Sequence, residues 1–226
     1  MSECKRFFIT GTGTGVGKTF ATACLADFFV KRGQRTAVTK PFQTGIDDGD
    51  DDIAIIKKAV PGLVQLPPGM ENVYRFKLPA SPDLAARAEN ATVDISRIIS
   101  TISEIEKSFS PEVLLVEGAG GLYVPVNGRV MMIDLMKMLN MPTIVVCDSG
   151  LGTINHSLLS IKTLQAEKIN CAGFIVNRAS RSPGVIERDN LEVLKALSGI
   201  TFTGTILKNP SISEISADIY SFPGLL

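Results

Sequence analysis

An apolar run, Phe7-Phe8-Ile9, leads into Gly11-Thr-Gly-Thr-Gly-Val-Gly-Lys18-Thr19, and a helical pattern follows at once. A glycine-rich loop between a strand and a helix lets several backbone N–H groups converge on one point, and the helix N-terminus adds partial positive charge. Gly13, Thr14, Gly15, Val16 and Gly17 then wrap a phosphate chain, Lys18 reaches its terminal groups, and the Thr19 hydroxyl holds Mg²⁺. The spacing departs from G-x-x-x-x-G-K-[ST], which asks for glycine at Thr12, where the nearest are Gly11 and Gly13. The strand–loop–helix setting favours phosphate binding over a plain turn, which has no use for Gly-Lys-Thr at a helix start. A dinucleotide fingerprint fits less well. Gly11-Thr-Gly13 begins one, but Val16 stands where a glycine belongs, and Thr36-Ala-Val-Thr-Lys40 offers no acidic residue after the second strand.

Apolar runs at 6–10, 35–39, 113–116, 142–147, 171–176 and 201–206 alternate with helical patterns at 18–31, 52–59, 81–88, 95–108, 133–139, 153–167 and 186–197. Short β-branched runs of this kind suit parallel strands buried on both faces, joined by right-handed crossovers. The expected class is α/β, with a mostly parallel central sheet and helices on both faces, as one domain over residues 1–226. The proline-rich stretch 61–82 reads as a long surface excursion. Lys+Arg and Asp+Glu balance at 23 each, so no global field attracts nucleic acid or anionic membrane. Apolar runs are too short to cross a bilayer, and the N-terminus shows no secretory pattern, so a cytoplasmic location is expected. Cys4, Cys24, Cys147 and Cys171 lack C-x-x-C spacing and read as small buried hydrophobes.

Ligands of such folds sit beyond the carboxyl ends of the strands, which directs attention to the residues there. The second strand ends in Lys40-Pro41-Phe42-Gln43-Thr44-Gly45, with a lysine placed to act as a catalytic cation. The acidic cluster Asp47-Asp48-Gly49-Asp50-Asp51-Asp52 follows. Most of it reads as solvated, because packed like charges repel, while Asp52 at the start of the next helix is the candidate for Mg²⁺. The mid-chain strand ends in Glu117-Gly118-Ala119-Gly120-Gly121; its carboxylate is a second anchor for a nucleotide's Mg²⁺, and the small residues admit a ligand close to the backbone. Backbone amides at the helix start in Gly150-Leu151-Gly152-Thr153-Ile154-Asn155-His156 suit a carboxylate. His156, the one histidine, reads as packed or exposed rather than catalytic. Asn177-Arg178 ends a further strand, where an amide side chain can read a purine edge.

Taken in order, Gly11-Thr-x-Thr-x-Val-Gly-Lys-Thr19, Lys40-Pro-x-x-Thr-Gly45, the aspartate opening the next helix, Val116-Glu-Gly-Ala-Gly-Gly121, Leu151-Gly-x-Ile-Asn-His156 and Val176-Asn177 resemble the dethiobiotin synthetase family over almost the whole chain. Those enzymes are ATP-dependent carboxylases that close the ureido ring in biotin synthesis, and their phosphate loop carries the same extra residue. The resemblance implies a three-layer, P-loop NTPase-like fold and a reaction of 7,8-diaminononanoate with CO₂ and ATP. It implies that Thr14, Lys40 and Thr44 meet the diamine or its carbamate, and that Thr19, Asp52 and Glu117 surround Mg²⁺. Gly118, Ala119, Gly120, Asn177, Arg178, Leu207, Lys208 and Asn209 would border the nucleotide. Gly152, Thr153 and Asn155 would bind the substrate carboxylate from a neighbouring subunit, hence a homodimer.

The chain departs from the family at Gly15, often acidic there, and at Arg178, where an Asn-Asp pair is typical. Arginine accepts no hydrogen bond, which predicts relaxed choice among ATP, CTP and GTP. A partition- or division-type ATPase switch is the alternative. Such proteins carry an additional lysine near the start of the loop, and Thr10-Gly-Thr-Gly-Thr14 has none. A cobyrinic acid-type amide-forming enzyme needs a glutaminase domain that 226 residues cannot house. A non-catalytic nucleotide scaffold predicts affinity without product.

Overall fold

The computed structural model describes residues 4–46, 51–208, 212 and 220–225. In chain order the elements are β1 (Lys5–Gly11), α1 (Lys18–Val30), β2 (Thr36–Thr39), β3 (Phe42–Thr44), α2 (Asp52–Ala59), α3 (Pro68–Glu71), β4 (Tyr74–Phe76), α4 (Pro82–Ala88), α5 (Ile95–Phe109) and β5 (Val113–Glu117). They continue with β6 (Pro125–Asn127), β7 (Val130–Met131), α6 (Met132–Leu139), β8 (Thr143–Cys147), α7 (Thr153–Ala166), β9 (Cys171–Ala179), α8 (Val185–Ser198), β10 (Phe202–Leu207) and β11 (Tyr220–Ser221). Every strand and helix expected from the pattern is present, most of them shifted by one to three residues at an end.

The main sheet has seven strands in the order β11-β10-β9-β8-β1-β5-β2. All pairings in it are parallel except β10 with β11. The chain leaves β1 toward β5 and β2 on one side and later fills β8, β9 and β10 on the other. The carboxyl end of β1 is therefore where the winding reverses, the place such folds bind ligands.

Alternation along the strands divides the core in two. Phe8, Leu114, Val116, Val145 and Phe174 pack on one face with Ala85, Ile98, Ile102, Met136, Ile161 and Leu194 from α4 to α8. Ile9, Leu115, Ile144, Val146 and Ile175 pack on the other with α1 and α2. Helix α1 is buried at Lys18 and continuously from Ala21 to Phe29, so it lies in the core rather than on it.

The stretch 61–82 corrects the surface-excursion reading. Leu63, Leu66, Val73 and Phe76 are buried, and β4 pairs in parallel with β3 as a small second sheet. Three- and four-residue elements carry too little periodicity to stand out in a sequence. Cys24 and Cys147 are buried as expected, but Cys4 and Cys171 are only half-buried; all four are free thiols. Among the described residues no helix is long and apolar enough to cross a membrane. Asp47, Asp48, Asp50 and Asn209 lie outside the described residues.

Candidate active site

The loop between β1 and α1 is shaped by two glycines in the left-handed region, Gly15 (φ 78°) and Gly17 (φ 89°). Gly17 is the N-cap of α1, contributes no side-chain cap, and precedes a first turn without acidic residues. The orphan N–H groups of that turn therefore remain available to an anion. At Gly17 a side chain is excluded twice over, by the backbone angle and because a Cβ would stand 2.2 Å from Asn177 Nδ2.

A cavity of about 280 Å³ opens above the loop, lined among others by Thr14, Lys18, Thr19, Lys40, Thr44, Asp52, Glu117 and Gly120. The ends of β1, β2 and β5 thus converge on one space. Glu117 is fully buried. Its Oε1 accepts from Thr19 Oγ1 at 2.8 Å and lies 3.0 Å from Lys40 Nζ, while Oε2 has no partner among the described residues. Lys40 Nζ also bonds the Asp52 carboxylate. Asp51 is engaged elsewhere, accepting from Ala54 N at 2.7 Å and pairing with Arg75. Of the two described aspartates here, Asp52 is the one that lines the cavity.

Lys40 is set by the segment that sequence reading assigned to the surface. Its N–H donates to Glu71 O at 2.9 Å, and its carbonyl accepts from Asn72 Nδ2 at 2.8 Å. Thr39 Oγ1 donates to Met70 O at 2.7 Å. Helix α3 and its flanks clamp the end of β2, and Leu66, Asn72 and Val73 on those flanks are buried, although no residue of α3 itself is.

Charge is distributed unequally between the two lysines. Burial lowers the Lys18 pKa to about 8, with the Lys40 charge adding to it against the pull of Glu117 and Asp52. Its Nζ donates to Gly13 O at 3.0 Å. Burial also works against the Lys40 charge, but Glu117 and Asp52 outweigh it and hold its pKa above the ordinary lysine value. One cation is thereby locked to carboxylates and the other is poised for a new anion.

A second hollow, about 450 Å³, joins the first through Thr14, Thr44, Ala119 and Gly120 and is walled by Pro79, Ala80, Ser81, Pro82, Tyr123, Val124 and Pro125. Sequence reading missed these residues. Pro79-Ala-Ser-Pro82 carried one signal, a serine and proline at a helix start, and Ser81 does cap α4. Nothing in that signal says what the cap faces.

Other expected residues fall elsewhere. Gly118 is buried, and a Cβ there would meet the Phe8 ring at 2.8 Å, so it packs inward rather than lining the cavity. Asn177 Nδ2 donates to Val16 O at 2.8 Å and Arg178 Nη2 to Gly15 O at 2.6 Å, so both hold the loop. Leu207 is half-buried at the end of β10, and Lys208 N bonds Ala179 O at 2.9 Å. Gly152 and Asn155 border a separate hollow of about 490 Å³ with Ile154, Leu158, Leu159 and Lys162. Thr153 Oγ1 is already bonded to Asp148 O at 2.6 Å. His156 is exposed on α7.

The donors facing the cavity suit a hard cation. Asp52, Glu117 and Thr19 offer oxygen only, and the buried Glu117 Oε2, without a partner among the described residues, is an acceptor that suits a positive charge. Among the described residues there is no cluster of three His, Cys, Asp or Glu side chains that could hold a metal alone. Two carboxylates and one hydroxyl instead match a cation that keeps further ligands from water and phosphate.

Residues 5–216 match the family model described as an AAA domain. The chain is 36% identical over 219 residues to the ATP-dependent dethiobiotin synthetase BioD of Halalkalibacterium halodurans, covering 95% of this chain and 89% of that one. It is 38% identical over 205 residues to the protein of the same name from Rhodococcus erythropolis, with 88% and 86% covered. Among solved structures, the signal recognition particle receptor FtsY of Elizabethkingia anophelis in complex with GDP is similar with TM-score 0.63 and 14% identity, over 98% of this chain and 61% of that one. The MinC:MinD cell division protein complex of Aquifex aeolicus is similar with TM-score 0.58 and 17% identity, over 92% and 82%. At such identities the solved structures speak for the fold alone, which is that of P-loop NTPases.

Proposed function

Since the chain belongs to the ATP-dependent dethiobiotin synthetase family, we propose that it joins 7,8-diaminononanoate and CO₂ into dethiobiotin at the expense of ATP. The observation that carries this reading is the convergence of Lys18, Lys40, Glu117, Thr14 and Thr44 on one cavity.

In the proposed reaction one amine nitrogen attacks CO₂, forming an N–C bond and releasing a proton, to give a carbamate. A carbamate oxygen attacks the γ-phosphorus and ADP departs. The second amine attacks the carbonyl carbon of the resulting mixed anhydride, an N–C bond forms as the C–O bond to phosphate breaks, the nitrogen gives up a proton, and the five-membered urea closes. The first difficulty is electrostatic, because carbamate and phosphate are both anions. Two unit charges at contact repel by roughly 4 kcal/mol at an intermediate effective dielectric, so two lysines aimed at one cavity matter. Lys18 and the loop amides hold the phosphates, while Lys40, Thr14 and Thr44 orient the carbamate oxygen for in-line attack. The joined hollow walled by Pro79, Ala80, Tyr123 and Val124 suits the apolar carbon chain of the diamine. Thr19, Asp52 and Glu117 would hold Mg²⁺, which when bound neutralises charge on the β- and γ-phosphates.

Gly152, Thr153 and Asn155 serve the substrate carboxylate of a neighbouring subunit in this reading. Support comes from their separation from the phosphate cavity and from the exposed Leu151 and Leu159 beside them. A cytoplasmic homodimer acting on small molecules, as one domain over 1–226 and without nucleic-acid or membrane partners, completes the proposal.

The deciding experiment mixes the protein with Mg-ATP and bicarbonate, with and without the diamine, and follows phosphate release and product mass. Diamine-dependent release with dethiobiotin formed supports the proposal. Release indifferent to the diamine rejects it.

A further inference from the structure

Two consecutive side chains of β9 reach the same loop. Asn177 bonds Val16 O and Arg178 bonds Gly15 O, although neighbours on a regular strand point to opposite faces. The backbone explains the exception. Arg178 has φ 59°, in the left-handed region. The other non-glycine residues of positive φ among the described residues are Asn90, Ser110, Asn140 and Lys168, each just after the end of a helix. Arg178 is the one inside a strand. The register confirms a bulge: Thr205 pairs with Val176 and Leu207 with Ala179, so β9 carries one residue more than β10 across this step. Bulges re-aim side chains, and a residue held in a disfavoured region points to a functional constraint.

The contact has a consequence for the loop. A trans peptide sets its C=O and N–H in opposite directions. Drawing the Gly15 and Val16 carbonyls toward β9 turns the N–H groups of Val16 and Gly17 away from it. The other arm of the guanidinium, Nη1, lies 3.1 Å from Asp148 Oδ2. Oδ1 of that carboxylate accepts from Ser149 N at 2.7 Å and Gly150 N at 3.2 Å, in the turn that opens α7. Ser149 Oγ returns a bond to Arg178 O at 2.9 Å. A planar fork can hold two acceptors at fixed positions, which a single ammonium cannot.

We propose that Arg178 is a positioning residue: by clamping the Gly15 carbonyl to Asp148 it presets the phosphate loop for anion binding and ties that loop to the turn before α7. The proposal rests on the reading of this chain as a nucleotide-binding enzyme.

Binding of fluorescently labelled ATP, CTP and GTP to the full chain, with Mg²⁺, tests it in the wild type, R178A, R178K and D148N. Loss of a charge-assisted bond to the loop should weaken all three nucleotides alike in R178A, on the order of tenfold, because the contact is to main chain and not to a base. D148N should weaken them less, and R178A/D148N no more than R178A alone. R178K, which keeps one contact, should recover part of the loss. Unchanged affinity in R178A overturns the proposal, and so does a loss confined to one base, which would make Arg178 a base reader. If R178A does not fold, R178K decides: equal partial weakening supports the clamp, and wild-type affinity overturns it. A wild-type chain that bound none of the three would sink the nucleotide reading as well, whereas wild-type binding with an indifferent R178A sinks this inference alone.

Discussion

The Lys40 ammonium stands 3.0 Å from Glu117 Oε1, and Glu117 has no exposed surface at all. Each charge justifies the other's burial. Removing one partner of such a pair costs roughly 3–5 kcal/mol, because the remaining charge is stranded out of water. Lys40→Ala should therefore lower the melting temperature as well as abolish turnover. K40A/E117Q should regain much of the lost stability and none of the activity. Thermal unfolding of the two variants beside the wild type checks this; an unshifted K40A would show that Glu117 finds another partner.

Lys18 should make nucleotide affinity fall in alkaline solution. Its pKa in the free chain is about 8, against an ordinary value of 10.5. A triphosphate favours the ammonium, so above about pH 8 binding must take up a proton, and affinity declines toward tenfold per pH unit. The same depression means the folded chain holds fewer protons than the unfolded chain between these values, so stability attributable to Lys18 rises with pH across that window. Calorimetric titration at pH 7 and pH 9 in buffers of different ionisation enthalpy measures the proton uptake directly.

Thr19 donates to Glu117 at 2.8 Å and completes the oxygen set facing the cavity. Thr19→Ala should raise the Mg²⁺ concentration needed for half-maximal turnover by at least about tenfold, since even an outer-shell partner of a metal site is worth roughly that much. Thr19→Ser keeps the hydroxyl and should stay near the wild type. Chelation should silence the enzyme, with Mg²⁺ or Mn²⁺ restoring it. Activity that survives thorough chelation would reject the metal assignment.

Gly17→Ala should abolish nucleotide binding. The backbone at φ 89° penalises any Cβ by about 1–2 kcal/mol, and this one also meets Asn177 Nδ2. Asn177→Ala on the G17A background removes the collision but not the backbone cost, so it should restore binding only in part. Full restoration would show that the clash alone matters.

Nucleotide choice should be relaxed, because Asn177 Nδ2 is engaged with Val16 O, and Arg178 with Gly15 O and Asp148, so both side chains are turned to the loop. ATP, CTP and GTP should turn over within about tenfold of one another, since a single absent base contact is worth no more than about 1.4 kcal/mol at that ratio. A large preference for ATP would reject the prediction.

Much of this protein is legible along the chain. The strand–loop–helix setting of Gly11 to Thr19 announces a phosphate cradle, because close backbone approach demands glycine and an anion demands a helix N-terminus. The alternation of short β-branched runs with helical periods announces a buried parallel sheet, and Lys40 and Glu117 are found by asking what stands just after each strand. What the chain alone does not disclose is who holds whom. That α3 and Asn72 pin Lys40 across about thirty residues, that Arg178 on a bulge reaches Gly15, and that Pro79 to Pro82 face Thr14 are long-range contacts. They arise from sheet order and local backbone angles, which no periodicity encodes. Residue chemistry was thus decided by composition and spacing, while its partners were decided by the way seven strands are laid side by side.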